Sequence, residues 1–132
     1  MKFEFSAGGI VYKRERTRNK DNSQKNAKNI EVLVCQHSQH HGWVFPKGLI
    51  NQQSAISNQQ SVRETKEDAA LREVKEETGI NGKIIKPLTP VTYWYAFERD
   101  PSTGSGREKV KKTVYYFLME YVSGDTKDHD FE

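Results

Sequence analysis

Apolar residues in this chain of 132 fall in short runs separated by long polar stretches. Runs of four to ten residues rich in β-branched and aromatic side chains predict strands. They lie at Phe3 to Tyr12, Ile30 to Cys35, Trp43 to Phe45, Lys83 to Ile85, Val91 to Phe97 and Thr113 to Tyr121. Gly8 and Gly9, paired inside the first run, predict a bulge or a close approach of another backbone. Pro46 ends the short Trp43 run, because proline cannot donate to a central ladder. The Gly/Ser-rich turn at 100–106 predicts a hairpin between the last two runs. One helix is expected from about Thr65. Thr65-Lys66-Glu67-Asp68 resembles a capping box, Ala69, Ala70 and Leu71 are strong helix formers, and Gly79 suits a left-handed stop. Ala70, Leu71 and Val74 supply the buried stripe. Strands around one helix predict a single α+β domain over 1–132.

Composition narrows the class. Hydrophobic residues make up 34% and charged residues 30%, and the polar excess is concentrated in loops. The longest, Lys13 to Asn29, has seven Lys/Arg against two acids. No run of eighteen apolar residues occurs, so no membrane partner is expected. The start, Met1-Lys2-Phe3-Glu4-Phe5, carries an acid and no continuous apolar core, so it does not read as a signal peptide. Cys35 is the only cysteine, which excludes an intramolecular disulfide and suits a reducing cytoplasm. In an apolar strand it is expected to be an inert thiol. The net charge of +3 is modest, with clusters at Lys13–Lys28 and Arg107–Lys112. These read first as solvated loops. Polyphosphate or RNA attraction is the alternative, and nucleic acid is not the favoured partner.

The chemistry is concentrated in Arg72-Glu73-Val74-Lys75-Glu76-Glu77-Thr78-Gly79-Ile80. Glu73 lies three and four residues before Glu76 and Glu77, so all three carboxylates point to one side of a helix. Like charges at these spacings cost about 0.2–0.5 kcal/mol per pair. Acids in the last turns cost about 0.3–1 kcal/mol each against the helix dipole. A hard cation held by carboxylate oxygens reverses both penalties.

This segment resembles the Nudix box: Gly, five residues, Glu, seven residues, then Arg-Glu-apolar-any-Glu-Glu-any-Gly-apolar. Glu64, Arg72, Glu73, Val74, Glu76, Glu77, Gly79 and Ile80 match at the required spacing. The front end departs from the pattern. The leading glycine is best matched by Gly48, with fifteen residues between it and Glu64 instead of five, and the ten extra residues fall in the polar run 51–60. Arg63 stands where many members have glycine.

The resemblance implies a Nudix-type α/β/α sandwich with a mixed β-sheet. Members commonly continue with a further strand and a packing helix, so the usual C-terminal helix is expected to be missing here. One sheet face would then be open, implying low stability or a partner. The implied reaction is hydrolysis of a pyrophosphate bond in a nucleotide-type polyphosphate, with Mg²⁺ as cofactor and Mn²⁺ as the alternative ion. Glu73, Glu76 and Glu77 are the expected ligands, with the carbonyl of Gly48 as a further one. Arg72 is expected to orient a box carboxylate and Glu64 to brace it. Glu73 is the first general-base candidate; Glu120, Asp128, Asp130 and Glu132 are candidates outside the box.

Trp43-Val44-Phe45-Pro46-Lys47-Gly48 and Lys111-Lys112-Thr113-Val114 resemble segments of the diadenosine polyphosphate hydrolase group. Lys47 and Lys112 are therefore expected to meet phosphate. Tyr116, Tyr93, Trp94 and Tyr95 offer rings for base stacking, though alternating aromatics in a hairpin are more often packing. His37, His40 and His41 lack zinc-ligand spacing and read as loop residues or phosphate neighbours. The expected substrate is a dinucleoside polyphosphate. ADP-ribose, an RNA 5′ end, and a non-catalytic binding module of the same fold are the alternatives. The oligomeric state is not legible.

Overall fold

The computed structural model describes residues 1–16, 28–51, 55–57, 60–98 and 106–128. In chain order it forms β1 (Lys2–Arg16), β2 (Lys28–Val32), β3 (Cys35–Gln36), β4 (Trp43–Val44), β5 (Lys47–Leu49), β6 (Ala55–Ser57), β7 (Gln60–Val62), α1 (Lys66–Thr78), β8 (Ile80–Pro87), β9 (Val91–Glu98) and β10 (Arg107–Gly124). A 3-10 turn at Thr126–Asp128 follows.

Two long parallel strands organise the sheet. β1 and β10 pair from Lys2 opposite Val110 to Tyr12 opposite Glu120. The outer edge of β1 takes antiparallel β5 over Ser6 to Gly8 and antiparallel β2 over Tyr12 to Arg16. The outer edge of β10 takes β9 along its first half and β8 along its second, both antiparallel. The result is a mixed six-stranded sheet. Two small hairpins, β3–β4 and β6–β7, stand apart from it.

Strand alternation decides which residues meet the helix. Odd positions of the two central strands bring Ala7, Val11, Phe117 and Met119 against Ala69, Ala70 and Val74 of α1, with Ile80 closing the cluster. The helix can sit this close because Gly9 has no side chain. A Cβ there would lie 2.7 Å from the Met119 sulfur and 2.8 Å from a Val74 methyl. Its neighbour Gly8 lies tight against the Pro46 carbonyl. The close backbone approach predicted by the paired glycines is thus present.

The helix ends follow their local signals. Thr65 is extended (φ −75°, ψ 160°) and its Oγ1 accepts from the Asp68 amide at 3.1 Å. Gly79 is left-handed (φ 77°) and donates its amide to the Lys75 carbonyl at 2.9 Å. The buried stripe also includes Ala69 and Thr78, while Leu71 is only partly buried.

The α+β class with a mixed sheet holds. Among the described residues one helix layer covers the sheet, formed by α1. No helix there is long and apolar enough to cross a membrane. Element bounds differ from the expectation in several places; the Lys83 run extends over Ile80–Pro87, and a further strand, Lys47–Leu49, follows Pro46. β1 runs on through Arg16 and pairs with β2, so the start of the basic Lys13 stretch is ladder, not loop. β10 begins at Arg107, so the second basic cluster also lies on a strand. The Ile30 run ends at Val32, and Cys35 starts a separate two-residue strand against Val44. The polar run 51–60 contributes to a hairpin, Ala55 to Ser57 against Gln60 to Val62. Polar strands pair here because the ladder is made by backbone N–H and C=O groups, which every non-proline residue carries. The loop at 17–27 and the Gly/Ser turn at 100–105 lie outside the described residues.

Candidate functional site

The second half of α1 presents its carboxylates to β5 and the segment before it. Arg72 is the hub. Its Nε and Nη2 fork onto Glu64 at 2.7 and 2.9 Å. Its Nη1 donates to Glu73 at 2.7 Å and to Glu76 at 3.1 Å. Nη2 also donates to the Leu49 carbonyl at 3.0 Å. One guanidinium therefore joins three carboxylates and a strand carbonyl, which uses the planar geometry that lysine lacks.

Glu64 is latched on its other side. Its Oε1 accepts from the Asn51 amide at 3.0 Å, and its own amide donates to the Asn51 carbonyl at 3.3 Å. This pair of hydrogen bonds between Asn51 and Glu64 closes the base of the extra segment, and the β6–β7 hairpin lies within it. The inserted residues leave and return at one point. That is how the chain from Gly48 to Glu64 can be three times longer than the box pattern and still deliver Glu64 to Arg72.

Gly48 pairs with Ala7 in the ladder and faces Glu73. A Cβ at Gly48 would fall inside the Glu73 carboxylate. Glycine is needed there for space, since its φ is not among the positive ones. The Lys47 amide donates to Glu77 Oε2 at 3.2 Å. Tyr116, half-buried, meets Phe45 edge to face at 6.2 Å between ring centres.

The electrostatics separate the acids. The Arg72 hydrogen bond holds the Glu64 carboxyl below its ordinary value of 4.5. Burial pushes Glu73 and Glu77 above that value, against the opposing pull of Arg72 on Glu73 and of the Lys47 amide on Glu77. Arg72 itself is pushed up, first by its bond to Glu64. Burial, then Tyr93 and Glu77, raises the Tyr116 phenol. Cys35 is pushed up to about 11 by burial and by the Glu77 charge, so the thiol is protonated at neutral pH and a poor nucleophile.

The donor set suits a hard divalent cation. Glu73, Glu76 and Glu77 offer oxygen only, and burial makes ionised Glu73 and Glu77 costly without a positive partner. Among the described residues no three acid, histidine or cysteine side chains already converge in a metal-holding group. Glu73 and Glu76 are turned to Arg72, and Glu77 to the Lys47 amide.

The predicted residues divide accordingly. Gly48, Glu64, Arg72, Glu73 and Glu76 form one contiguous network, with Glu77 and Lys47 joined beside it. Lys112 stands apart. It lies four residues from Tyr116 on β10, about 13 Å along the strand, opposite Glu4 and Tyr93. Trp94 faces the other way from Tyr93 and Tyr95. The Tyr95 hydroxyl donates to Glu4 at 2.7 Å on one face, whereas the Lys111 ammonium lies 5.6 Å from the Trp94 ring on the other. Glu120 pairs opposite Lys83, exposed and on the face away from α1. Asp130 and Glu132 lie outside the described residues, and Asp128 is described only in its backbone. The His37 and His40 rings stack at 4.0 Å in the β3–β4 turn, with each Nδ1 accepting a backbone amide. Sequence reasoning missed the Leu49 carbonyl and the Asn51 latch. Both are backbone partners, and backbone groups leave no mark in residue identity.

The model of the NUDIX domain matches residues 21–132. A candidate mutator protein, MutT4, of Mycobacterium tuberculosis (strain CDC 1551 / Oshkosh) is 37% identical over 90 residues, covering 68% of this chain and 29% of that protein. An RNA pyrophosphohydrolase of Blochmanniella pennsylvanica (strain BPEN) is 29% identical over 114 residues, covering 75% of this chain and 65% of its own length. The chain thus spans less than two thirds of each of these relatives. A crystal structure of C. elegans Ap4A hydrolase superposes with a TM-score of 0.52 at 25% identity, covering 89% of this chain and 67% of that one.

Proposed function

This chain belongs to the Nudix family, and from that premise we propose that it hydrolyses a pyrophosphate bond in a nucleotide-type polyphosphate with Mg²⁺ as cofactor. The observation that carries the reading is the Arg72 hub, which holds Glu64, Glu73 and Glu76 around one guanidinium beside Gly48. A binding module has no need of mutually repelling acids in the last turns of a helix.

Glu73, Glu76 and Glu77 are the proposed ligands, with the Gly48 carbonyl beside them. Bound there, Mg²⁺ would neutralise phosphate charge and acidify a water. Arg72 orients Glu73 through their 2.7 Å bond, and Glu64 holds Arg72 by the fork. Glu73 is the general-base candidate within the box. Lys47 is the candidate to meet a phosphate as a point charge, while its amide donates to Glu77. Tyr116, packed against Phe45, offers a wall for a base. Lys112 would have to meet a more distant part of the substrate.

A dinucleoside polyphosphate is the first substrate class, supported by the likeness to an Ap4A hydrolase structure. An RNA 5′ end is the second, supported by the RNA pyrophosphohydrolase relative. The test is product analysis after incubation with diadenosine tetraphosphate, ADP-ribose, a nucleoside triphosphate and 5′-triphosphate RNA, each with Mg²⁺ and with EDTA. Cleavage of one substrate that stops in EDTA is expected. Glu76→Gln should cut turnover by about 100-fold or more, since even outer-shell changes cost about 10–100-fold. Its stability in EDTA should stay within about 1 kcal/mol of parental, because the Arg72–Glu76 pair is half exposed. Near-parental turnover of Glu76→Gln would remove the ligand assignment.

A further inference from the structure

We propose that the sheet face beyond the start of α1 binds single-stranded nucleic acid, with RNA as the biological form; the link to RNA 5′-end hydrolysis rests on the second substrate reading above. The face is built by alternation. Phe3, Lys111 and Trp94 stand opposite one another across β1, β10 and β9, so they form one cross-strand row. Phe3 is 58% exposed and Trp94 63%. Two strand spacings separate them, about 10 Å, with a lysine between. Lys109 and Arg107 continue the same face along β10 and are exposed.

The charge on this face is predominantly positive, with Glu98 at the end of β9 opposite Arg107 as an acid on it. Odd positions 107–115 of β10, odd positions 1–5 of β1 and even positions 92–96 of β9 include three cations and no carboxylate. Lys66, at the start of α1, adds a fourth cation 4.5 Å from the Tyr115 ring. The neighbouring first turn of the helix also carries Glu67 and Asp68. Two exposed rings flanking a lysine, with further cations in line, match what a single strand offers: flat bases and a phosphate at each step. A protein partner would be expected to meet an apolar or acid-matched surface; a nucleic acid satisfies both the rings and the excess of positive charge.

The position fits the site already described. Gly8, which pairs with Lys47 beside Glu77, is five residues along β1 from Phe3, roughly 17 Å. The face lies on the α1 side of the sheet. An RNA whose 5′ phosphates meet the box acids would reach this row after a few nucleotides. A dinucleoside polyphosphate has no chain to put there.

The test is fluorescence anisotropy with a 3′-labelled mixed-sequence 12-nucleotide RNA bearing a 5′-hydroxyl, which offers no bond to hydrolyse. Trp94→Ala should weaken binding by about 5–100-fold, from the loss of one stacked base. Lys111→Glu should weaken it and lower the slope of log affinity on log salt by about 0.7 or more. Lys83→Glu makes the same charge change on exposed β8 and should change affinity less than about twofold. Circular dichroism melts should be parental for Trp94→Ala and Lys111→Glu and slightly lowered for Lys83→Glu, which sets a second acid opposite Glu120. Absence of parental binding at low salt, or equal losses for Lys83→Glu and Lys111→Glu, would overturn the surface. So would tighter binding of DNA than of RNA of the same sequence. A second readout separates the two readings. Trp94→Ala should raise KM for 5′-triphosphate RNA and leave diadenosine tetraphosphate cleavage parental. RNA bound through Trp94 but never hydrolysed would sink the RNA substrate reading and leave the surface standing.

Discussion

Arg72 is the residue on which the site depends, and its energetics follow from what it would leave behind. Its side chain is 27% exposed, and its partners Glu64 and Glu73 are 15% and 12% exposed. Removing it strips two largely covered carboxylates of their counter-ion, and Glu76 of a weaker one. Charged hydrogen bonds contribute about 1.5–3 kcal/mol each, discounted here for partial solvent access. Arg72→Ala should therefore lose about 2–4 kcal/mol in urea unfolding without metal. Arg72→Lys should lose most of that, because an ammonium cannot fork onto Glu64 while reaching Glu73. A lysine variant as stable as the parent would show that charge alone, not geometry, holds the network.

Among the elements, α1 joins structure to chemistry. Its inner face is set by Ala69, Ala70 and Val74, which are fully buried, and the flank towards the Gly48 strand carries Glu73 and Glu77. How close it lies to the sheet decides whether Glu73 reaches the Gly48 strand. Gly9→Ala tests that spacing. The added methyl must displace Met119 and Val74, both fully buried, so destabilisation of about 1–3 kcal/mol is expected. Because the displaced Val74 adjoins Glu73 on the same helix, the variant should also lose metal-dependent activity per folded molecule. Parental activity with lowered stability would mean that the helix shifts without disturbing its acids. The insertion hairpin works differently. Among the described residues its base joins the site through Asn51 and Glu64.

Across the whole molecule, the acids set opposing pH dependences. Glu64 has a lowered pKa when folded, so its contribution is complete above its ordinary value of 4.5 and is lost as pH falls through the folded value. Glu73 and Glu77 have raised values, so the metal-free fold loses stability as pH rises from 4.5 through their folded values. A divalent ion reverses that loss, because it binds the ionised forms and releases protons. Mg²⁺ should therefore raise Tm more at about pH 7.5 than at about pH 5, because the stabilisation RT ln(1 + [Mg²⁺]/Kd) grows as Kd falls with ionisation of the acids. Scanning calorimetry with and without EDTA at both pH values measures it. An equal shift at both would mean that the ion is not held by these two carboxylates.

The helix, its caps and its row of acids were legible from residue order, because capping and i to i+4 spacing are local. The central strands were legible in place but not in extent. Arg14, Arg16, Arg107 and Lys109 join ladders that no apolar alternation announces, since backbone pairing is indifferent to side-chain polarity. The box showed in eight positions at fixed spacing, yet its front end was ambiguous. Only the fold shows that Asn51 and Glu64 close the insertion. The same holds for the single guanidinium shared by three carboxylates and for the separation of Trp94 from Tyr93 and Tyr95 onto opposite faces. Those features depend on contacts between segments distant in sequence, which residue identities permit but do not specify. The order of residues determined which groups could do chemistry; the tertiary structure decided which of them meet, because a hydrogen bond is satisfied by position in space and not by distance along the chain.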